Sequence, residues 1–250
     1  MPKPLGLQLY TLRDEVKKQG LPAILKLAAE IGYRGVEFAG LQGLPATEVK
    51  SLLTEYGLES IGAHVDIFDP KLTDQNAADA RTLGYRFVIK SLPREAFASE
   101  EGVRKIAEQV NGAIARYEAH GLTVALHNHY WEFVDLKKSD LLNALSPKAQ
   151  WQLDIYWVQV SGQDPAKLIS QLASRVPLLH VKDGPCDKPE SGMTAVGAGK
   201  VDVKACLAAA EKANTVWYAV ELDRCDTDMI QAVKDSYTYL TGNKLAAGRK

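Results

Sequence analysis

The chain has 250 residues, of which 46% are hydrophobic and 24% are charged, as is usual for a folded globular protein. The formal net charge is −1 and the basic residues are scattered, which counts against a surface built to bind nucleic acid. No apolar run approaches the roughly 18 residues that span a bilayer, so a membrane protein is not expected.

Short apolar strands alternate with amphipathic helical segments along the whole chain. The predicted strands are Leu5–Tyr10, Gly35–Phe38, Ser60–His64, Arg86–Lys90, Leu122–His127, Trp151–Asp154, Leu178–Val181 and Trp217–Glu221. The helices that follow them in turn are Leu21–Ile31, Ala46–Tyr56, Asp74–Leu83, Glu101–His120, Leu136–Leu145, Pro165–Arg175, Val203–Lys212 and Thr227–Leu240. Glycines just past four of these helices have the position of C-terminal caps: Gly32, Gly57, Gly84 and Gly121. Eight strand–helix pairs predict a parallel sheet closed into a single (β/α)8 barrel domain over residues 1–250.

Ionisable side chains stand at the C-terminal ends of most predicted strands. They are Glu37, His64, Lys90, His127, Asp154, His180 and Glu221. One such residue alone is readily a hydrogen-bonded core histidine or a helix cap. Seven at the same end need another explanation, because barrel strands are otherwise apolar and buried charge must be paired or metal-bound. The C-terminal end of a barrel also carries the active site, so we predict one there.

Three of these residues form a set suited to a metal ion. Asp154, His180 and Glu221, with a further donor from residues 127–132, predict one divalent cation, with Mn²⁺ expected and Mg²⁺, Co²⁺ or Zn²⁺ as alternatives. The cysteines are far apart and form no CxxC pair, so no thiolate ligand is expected. Free thiols and the lack of a hydrophobic leader predict a reducing, cytoplasmic location.

Six short segments, in order along the chain, carry a family resemblance. They are Gly35–Glu37, Leu126–Phe133, Leu153–Trp157, His180–Asp183, Gly197–Asp202 and Val220–Asp223. Together they resemble the xylose isomerase-like barrels, often described as sugar phosphate isomerases/epimerases. The resemblance implies a metal held by Glu, Asp, His and Glu on the last four strands, and Asp154, His180 and Glu221 match the last three of these ligands.

The first ligand departs from the family pattern, because this chain has His127 where the resemblance implies a glutamate. Either Glu132 folds back to supply the carboxylate, or His127 binds the metal and Glu132 is structural. Strand alternation places His127 and Ala125 on the barrel-interior face and Leu126 on the other. We expect Glu132 to be the ligand and His127 to lie close by as a catalytic group.

A metal that chelates a carbonyl oxygen and the neighbouring hydroxyl oxygen acidifies the C–H between them and stabilises an enediolate. This predicts a sugar isomerase or epimerase acting on a small keto-sugar, with catalytic residues His127, Glu221 and Lys182. The residues expected to bind the substrate are Glu37, His64, Lys90, His129, Trp157 and Arg224.

Three alternatives stay open. The first is a metal-dependent lyase that cleaves 3-keto-glycosides by β-elimination, and the second is a carbohydrate-binding barrel without activity. The third is an apurinic endonuclease, which the near-neutral charge disfavours. Gly197 and Gly199 lie in a loop that either cradles an anion or covers the mouth, without the spacing of a dinucleotide-binding motif. The sequence leaves the oligomeric state open.

Overall fold

A closed barrel of eight parallel strands, paired in chain order, forms the centre of the computed structural model, which describes residues 2–134, 141–213 and 215–249. The first strand also pairs with the last, which closes the sheet. The strands are β1 (Leu5–Gln8), β2 (Gly35–Phe38), β3 (Glu59–His64), β4 (Phe87–Ser91), β5 (Thr123–His127), β6 (Gln150–Asp154), β7 (Leu178–Val181) and β8 (Trp217–Val220). The predicted (β/α)8 barrel is confirmed.

Helices occupy the connections between strands. They are α1 (Arg13–Gln19), α2 (Leu21–Ile31), α3 (Ala46–Tyr56), α4 (Thr73–Leu83), α5 (Glu100–Glu118), α6 (Leu141–Ala144), α7 (Ile155–Val160), α8 (Pro165–Leu172), α9 (Val203–Lys212) and α10 (Met229–Gly242). Three of them, α2, α3 and α9, have the predicted bounds. Of the predicted helix Leu136–Leu145, residues 136–140 lie outside the described part of the chain.

The short helices α1 and α7 were not predicted from the sequence. A polar side chain precedes α1, and another caps the start of α7. The predicted first strand ends early at Gln8, whose side-chain oxygen accepts a hydrogen bond from Tyr10 N at 3.0 Å, and a 3-10 turn and α1 follow. In the same way Asp154 accepts a hydrogen bond from Trp157 N at 3.0 Å and begins α7. Such N-caps satisfy backbone donors that the first helical turn leaves free.

Left-handed glycines end several of the outer helices, as predicted. Gly32 after α2 has a φ of 117° and Gly57 after α3 has a φ of 62°. Most other residues adopt this region only at a steric cost, so these positions stop the helix and return the chain to the next strand.

The interior of the barrel is apolar at its base and polar above it. The apolar cluster inside the barrel consists of Ile61, Phe87, Ile89, Ala125, Leu178 and Ala219. Side chains on the opposite face of the strands, such as Leu126, pack in the larger core between sheet and helices. Ala125 and Leu126 therefore occupy the faces expected from strand alternation. No described helix is both long and apolar enough to cross a membrane.

Candidate metal centre and mouth cavity

Four buried side chains converge at the C-terminal end of strands β5 to β8. His127, Asp154 and His180 are on β5, β6 and β7, and Glu221 follows directly after β8. One ligand atom from each lies within 4.8 Å of the others. Asp154 and His180 are paired in the register of β6 and β7, so their side chains emerge side by side from the barrel.

The same four residues carry buried polar atoms that form no hydrogen bond within the described residues: His127 Nδ1, Asp154 Oδ2, His180 Nδ1 and Glu221 Oε2. His180 Nδ1 lies 2.7 Å from Glu221 Oε2 without hydrogen-bond alignment, so these two atoms form a close charge contact. Polar atoms without a hydrogen bond are costly to bury, although the Lys182 ammonium lies within ion-pair distance of both carboxylate oxygens. Two imidazole nitrogens and two carboxylate oxygens suit a borderline divalent ion, so these residues fit the predicted metal.

The charges in this group depend strongly on burial and on each other. Burial raises the pKa of Asp154 to about 6, although Lys182 acts to lower it. Burial acts to lower the pKa of His180, but the carboxylates of Glu221 and Glu37 outweigh it and raise that pKa to about 10. Burial holds the pKa of His127 well below its ordinary value, so this ring is neutral. Neutral imidazole is the form that binds a metal, so His127 is already in that form, whereas His180 would release a proton when the ion binds.

Lys182 is fully buried beside the group and is not one of the residues that line the mouth. Its Nζ atom lies 3.0 Å from Asp154 Oδ2, 2.9 Å from Glu221 Oε2 and 2.8 Å from Asp223 Oδ2. Only the contact with Asp223 has hydrogen-bond geometry. Lys182 thus joins two carboxylates of the group to a third carboxylate outside it, and its charge is fully compensated.

Glu37 occupies the layer just below this group and is also fully buried. Its Oε1 atom lies 2.9 Å from Nε2 of both His64 and His180, and it accepts a 2.5 Å hydrogen bond from Gln8. Gln152 donates a hydrogen bond to Oε2. Burial acts to raise the pKa of Glu37, but the charges and hydrogen bonds of His180 and His64 lower it to about 2. Because both oxygens of Glu37 and the Nε2 atoms of His64 and His180 are already bonded to one another or to Gln8 and Gln152, we interpret this second group as a supporting network for the first.

A cavity of about 620 Å³ opens above the group of four. Several predicted site residues line it: His64, His127, His129, Trp157, Glu221 and Arg224. Trp131 also lines the cavity, together with side chains that were not predicted from the sequence to belong to the site, which include Gln8, Tyr10, Arg13, Ser91, Tyr130, Glu190 and Asp223. Lys90 and Glu37, both predicted to bind substrate, do not line this cavity; the Lys90 ammonium instead lies 3.2 Å from Asp66.

Glu132 folds back into the protein but does not belong to the group of four. Its Oε2 atom accepts a hydrogen bond from His129 N at 2.9 Å, and burial raises its pKa to about 8. Two aromatic neighbours hold this loop. Trp131 donates a hydrogen bond to Leu92 O and stacks on His129 with ring centroids 4.2 Å apart, and Phe133 is fully buried. Of the two residues considered for the first ligand, the structure brings His127 to the group.

The backbone amides of the glycine-rich loop after β7 bind the side-chain carboxylate of Asp183, a residue of the same chain. Asp183 is fully buried, and its Oδ1 accepts hydrogen bonds from Gly184 N and Val201 N at 2.8 and 3.1 Å. Its Oδ2 accepts from Gly197 N and Gly199 N at 2.9 and 3.1 Å. These amides are therefore not free for a substrate phosphate. Instead they fix a loop that brings Glu190 to the cavity wall.

Comparisons with known proteins agree with this architecture. A family model described as xylose isomerase-like TIM barrel matches residues 25–240. A sugar phosphate isomerase/epimerase from Parabacteroides distasonis superposes with a TM-score of 0.79 at 22% identity, covering 98% of this chain and 100% of that chain. The probable 3-DHS dehydratase involved in petrobactin synthesis from Bacillus anthracis gives 0.78 at 16% identity, covering 95% and 98%.

A third solved structure, the D-allulose 3-epimerase from Methylomonas sp., gives a TM-score of 0.73 at 16% identity, covering 97% of this chain and 98% of that chain. No curated protein matches the sequence significantly. At these identities the solved structures show a shared fold, while the family match extends over most of the chain. The chain belongs to the xylose isomerase-like TIM barrel family.

Proposed function

We propose that this protein is a divalent-metal-dependent isomerase or epimerase of a small keto-sugar. The observation that carries the proposal is the group of four buried ligand atoms, from His127, Asp154, His180 and Glu221, next to the mouth cavity that His127 and Glu221 line. Related folds described as a sugar phosphate isomerase/epimerase and a D-allulose 3-epimerase support the choice of substrate class. Two nitrogens and two carboxylate oxygens suit a hard-to-borderline divalent ion, and Mn²⁺ is the one we expect.

When bound, the ion supplies Lewis-acid stabilisation of negative charge on adjacent sugar oxygens. The protein's own groups then handle the substrate and its proton. Glu221 belongs to the group of four and also lines the cavity, so its carboxylate is the group that would remove the proton of the acidified C–H. Lys182 holds Glu221 Oε2 at 2.9 Å and so orients that carboxylate. His127 is a ligand in this proposal rather than the free base expected from the sequence.

Aromatic side chains on one side of the mouth suit a sugar ring. His129 and Trp131 are stacked on each other, and Trp157 lies 5.9 Å from His129 between ring centroids. The faces of these rings that line the cavity offer apolar surface to the C–H faces of a carbohydrate.

The charges at the mouth favour an unphosphorylated substrate. Arg13 and Arg224 line the cavity, but so do Glu190 and Asp223, so the rim has no net positive charge. Two Arg13 nitrogens already donate to the backbone oxygens of Tyr10 and Asp223. A site for phosphodiesters normally has an excess of basic groups, so we do not propose an endonuclease.

Cleavage of a 3-keto-glycoside by β-elimination is the second candidate. The size of the cavity favours it, because about 620 Å³ falls within the range of sites for drug-sized ligands and leaves room beyond one sugar ring. In this reaction the same proton abstraction is followed by loss of the group on the neighbouring carbon.

The test is a screen of keto-sugars and 3-keto-glycosides with Mn²⁺-loaded protein in D₂O, followed by proton NMR. We expect deuterium at the carbon next to the carbonyl. An epimer or isomer as product identifies the first reaction, and a released aglycone identifies the second. The Asp154→Asn variant should show neither. An epimer or isomer formed without any deuterium would contradict the first candidate. Release of the aglycone without an unsaturated or deuterated keto-sugar would contradict the second.

A further inference from the structure

We propose that His64, on β3, is a catalytic acid–base residue whose Nδ1 atom exchanges protons with the substrate, and that Glu37 is the positioning residue that sets its tautomer. This inference rests on the proposed function and adds a second proton-transfer group to it. Epimerisation needs two such groups, one to remove the proton and one to return it to the other face of the carbon. Glu221, after β8, supplies one group, and the neutral His127 ring is committed to the metal set.

The hydrogen-bond partners of His64 determine which of its ring nitrogens carries the hydrogen. His64 Nε2 lies 2.9 Å from Glu37 Oε1 and 3.1 Å from Gln152 Oε1. Both of these atoms are acceptors, so Nε2 must carry the hydrogen. The orientation of the Gln152 amide is fixed independently, because its nitrogen donates to the other oxygen of Glu37. In the neutral ring, Nδ1 is therefore the nitrogen with the free lone pair.

The accessibility of His64 distinguishes it from the other imidazoles. Its side chain is 23% exposed and lines the cavity. His180 is fully buried, with Nε2 bound to Glu37 and Nδ1 in the metal group. His129 also lines the cavity, but its Nδ1 is buried and its ring is stacked on Trp131, without a carboxylate partner among the described residues.

The arrangement can complete a balanced proton transfer. The substrate C–H bond breaks, the electron pair stays on the substrate carbon and is delocalised onto the carbonyl oxygen, and the proton moves to His64 Nδ1. The ring then carries a positive charge, which the Glu37 carboxylate stabilises through the hydrogen bond from Nε2. Glu221, protonated in this direction of the reaction, returns a proton to the other face of the carbon. Exchange of both groups with solvent then restores the neutral ring and the protonated Glu221 carboxyl group. Glu37 is in turn held by Gln8 and Gln152, so the ring starts each cycle in the same orientation.

The first test reads the tautomer directly and needs no substrate. Protein labelled with ¹⁵N-histidine and loaded with diamagnetic Zn²⁺ or Mg²⁺ is recorded in long-range ¹H–¹⁵N spectra, and the His64→Gln variant assigns the signal. We expect a hydrogen on Nε2 and none on Nδ1. Glu37→Gln, which presents an amide nitrogen as an alternative donor, should increase the Nδ1–H form. A wild-type ring with its hydrogen on Nδ1 would overturn the proposal.

The second test measures turnover and deuterium exchange with the keto-sugar that the wild-type protein converts. His64→Gln should lower kcat by about 10²–10⁴-fold with unchanged metal content. It should still exchange deuterium into recovered substrate through Glu221 while forming almost no epimer. His120→Gln is the matched control, since its side chain is 28% exposed and its Nε2 also contacts a carboxylate, Asp74, at 3.5 Å.

The outcomes separate the two proposals. Wild-type turnover in His64→Gln, or a loss of epimer in His129→Gln alone, would overturn the role of His64 and leave the proposed function intact. Failure of the wild-type protein to exchange deuterium with any keto-sugar would overturn the proposed function itself.

Discussion

The Nε2 atom of His180 lies 2.9 Å from the Oε1 atom of Glu37, with both side chains fully buried inside the barrel. The other ring nitrogen, Nδ1, faces the group of four candidate ligands. A carboxylate bound to the outer nitrogen of a ligating histidine fixes its tautomer and orients the ring toward the ion. Glu37, expected from the sequence to bind substrate, is thus positioned to support the candidate metal site.

Replacing Glu37 should therefore weaken metal binding although Glu37 itself is not a ligand. We expect Glu37→Gln to lower the affinity for Mn²⁺ by about 10–100-fold, measured by calorimetric titration. Glu59→Gln is the control, because Glu59 pairs with Arg34 at the protein surface. Equal affinities in wild-type protein and Glu37→Gln would show that the His180 ring needs no such support.

Asp154→Asn should separate metal binding from folding. The Oδ1 atom of Asp154 caps α7, and an asparagine oxygen can keep that hydrogen bond, while the ionised Oδ2 is lost. Bound metal should stabilise the wild-type protein by about 2.7 kcal/mol at a free concentration of roughly 100 times Kd, and this increment should vanish in the variant. Asp164→Asn is the matched control, since Asp164 caps α8 at the surface. The measurements are metal content by mass spectrometry and thermal unfolding with and without chelator.

Substitutions of His127 and Glu132, the two residues considered for the first ligand, should have different effects on metal affinity. His127→Asn should lower Mn²⁺ affinity by more than the roughly 10–100-fold loss expected for a supporting residue, because His127 contributes an atom to the group of four. Glu132→Gln should bind the ion as the wild-type protein does, because glutamine can still accept the hydrogen bond from His129 N. Equilibrium dialysis measures the Mn²⁺ affinity of both variants. Loss of metal in Glu132→Gln alone would show that Glu132, and not His127, is the first ligand.

Glu132 should also make folding stability fall as the pH rises. Burial raises its pKa to about 8 in the folded protein, against about 4.3 in an unfolded chain. Between these values the folded state holds a proton that the unfolded state has lost, so the free energy of unfolding decreases with pH and levels off above about 8. Glu132→Gln removes this effect, which is on the order of a few kcal/mol. The stability of Glu132→Gln relative to wild-type protein, measured by urea unfolding, should therefore increase from pH 5 to pH 8. Glu48→Gln, on the exposed face of α3, is the control and should show no such trend.

Because Gly199 has no side chain, the carboxylate of Asp183 can occupy the space next to its backbone. A Cβ atom at position 199 would lie 2.1 Å from Asp183 Oδ1 and 2.3 Å from Gly184 N. Gly199→Ala should therefore displace the loop and lower stability by about 1–3 kcal/mol. Gly242→Ala, at the end of α10 with no atom within 4 Å of the added Cβ, should be neutral or slightly stabilising. Chemical denaturation compares the two, and equal stability of both variants would mean that the loop adapts without cost.

The order of strands and helices could be read from the sequence, because hydrophobic periodicity is a local property of the chain. The same reasoning placed Ala125 inside the barrel and Leu126 outside it. It also identified Asp154, His180 and Glu221 as one group, since the C-terminal ends of parallel strands meet at one end of a closed barrel. The helix α7 was not predicted, because the short apolar run that forms it has no detectable period.

Only the tertiary structure decided which polar atoms meet. Whether His127 or Glu132 joins the metal group depends on where the loop after β5 folds back, and Trp131 and Phe133 determine that path through contacts with residues distant in sequence. Likewise, the amides of Gly197 and Gly199 bind Asp183 because the loop closes on it, which spacing along the chain does not reveal. Side-chain contacts across the barrel depend on long-range packing, whereas the position of a residue on its strand depends on the local pattern alone.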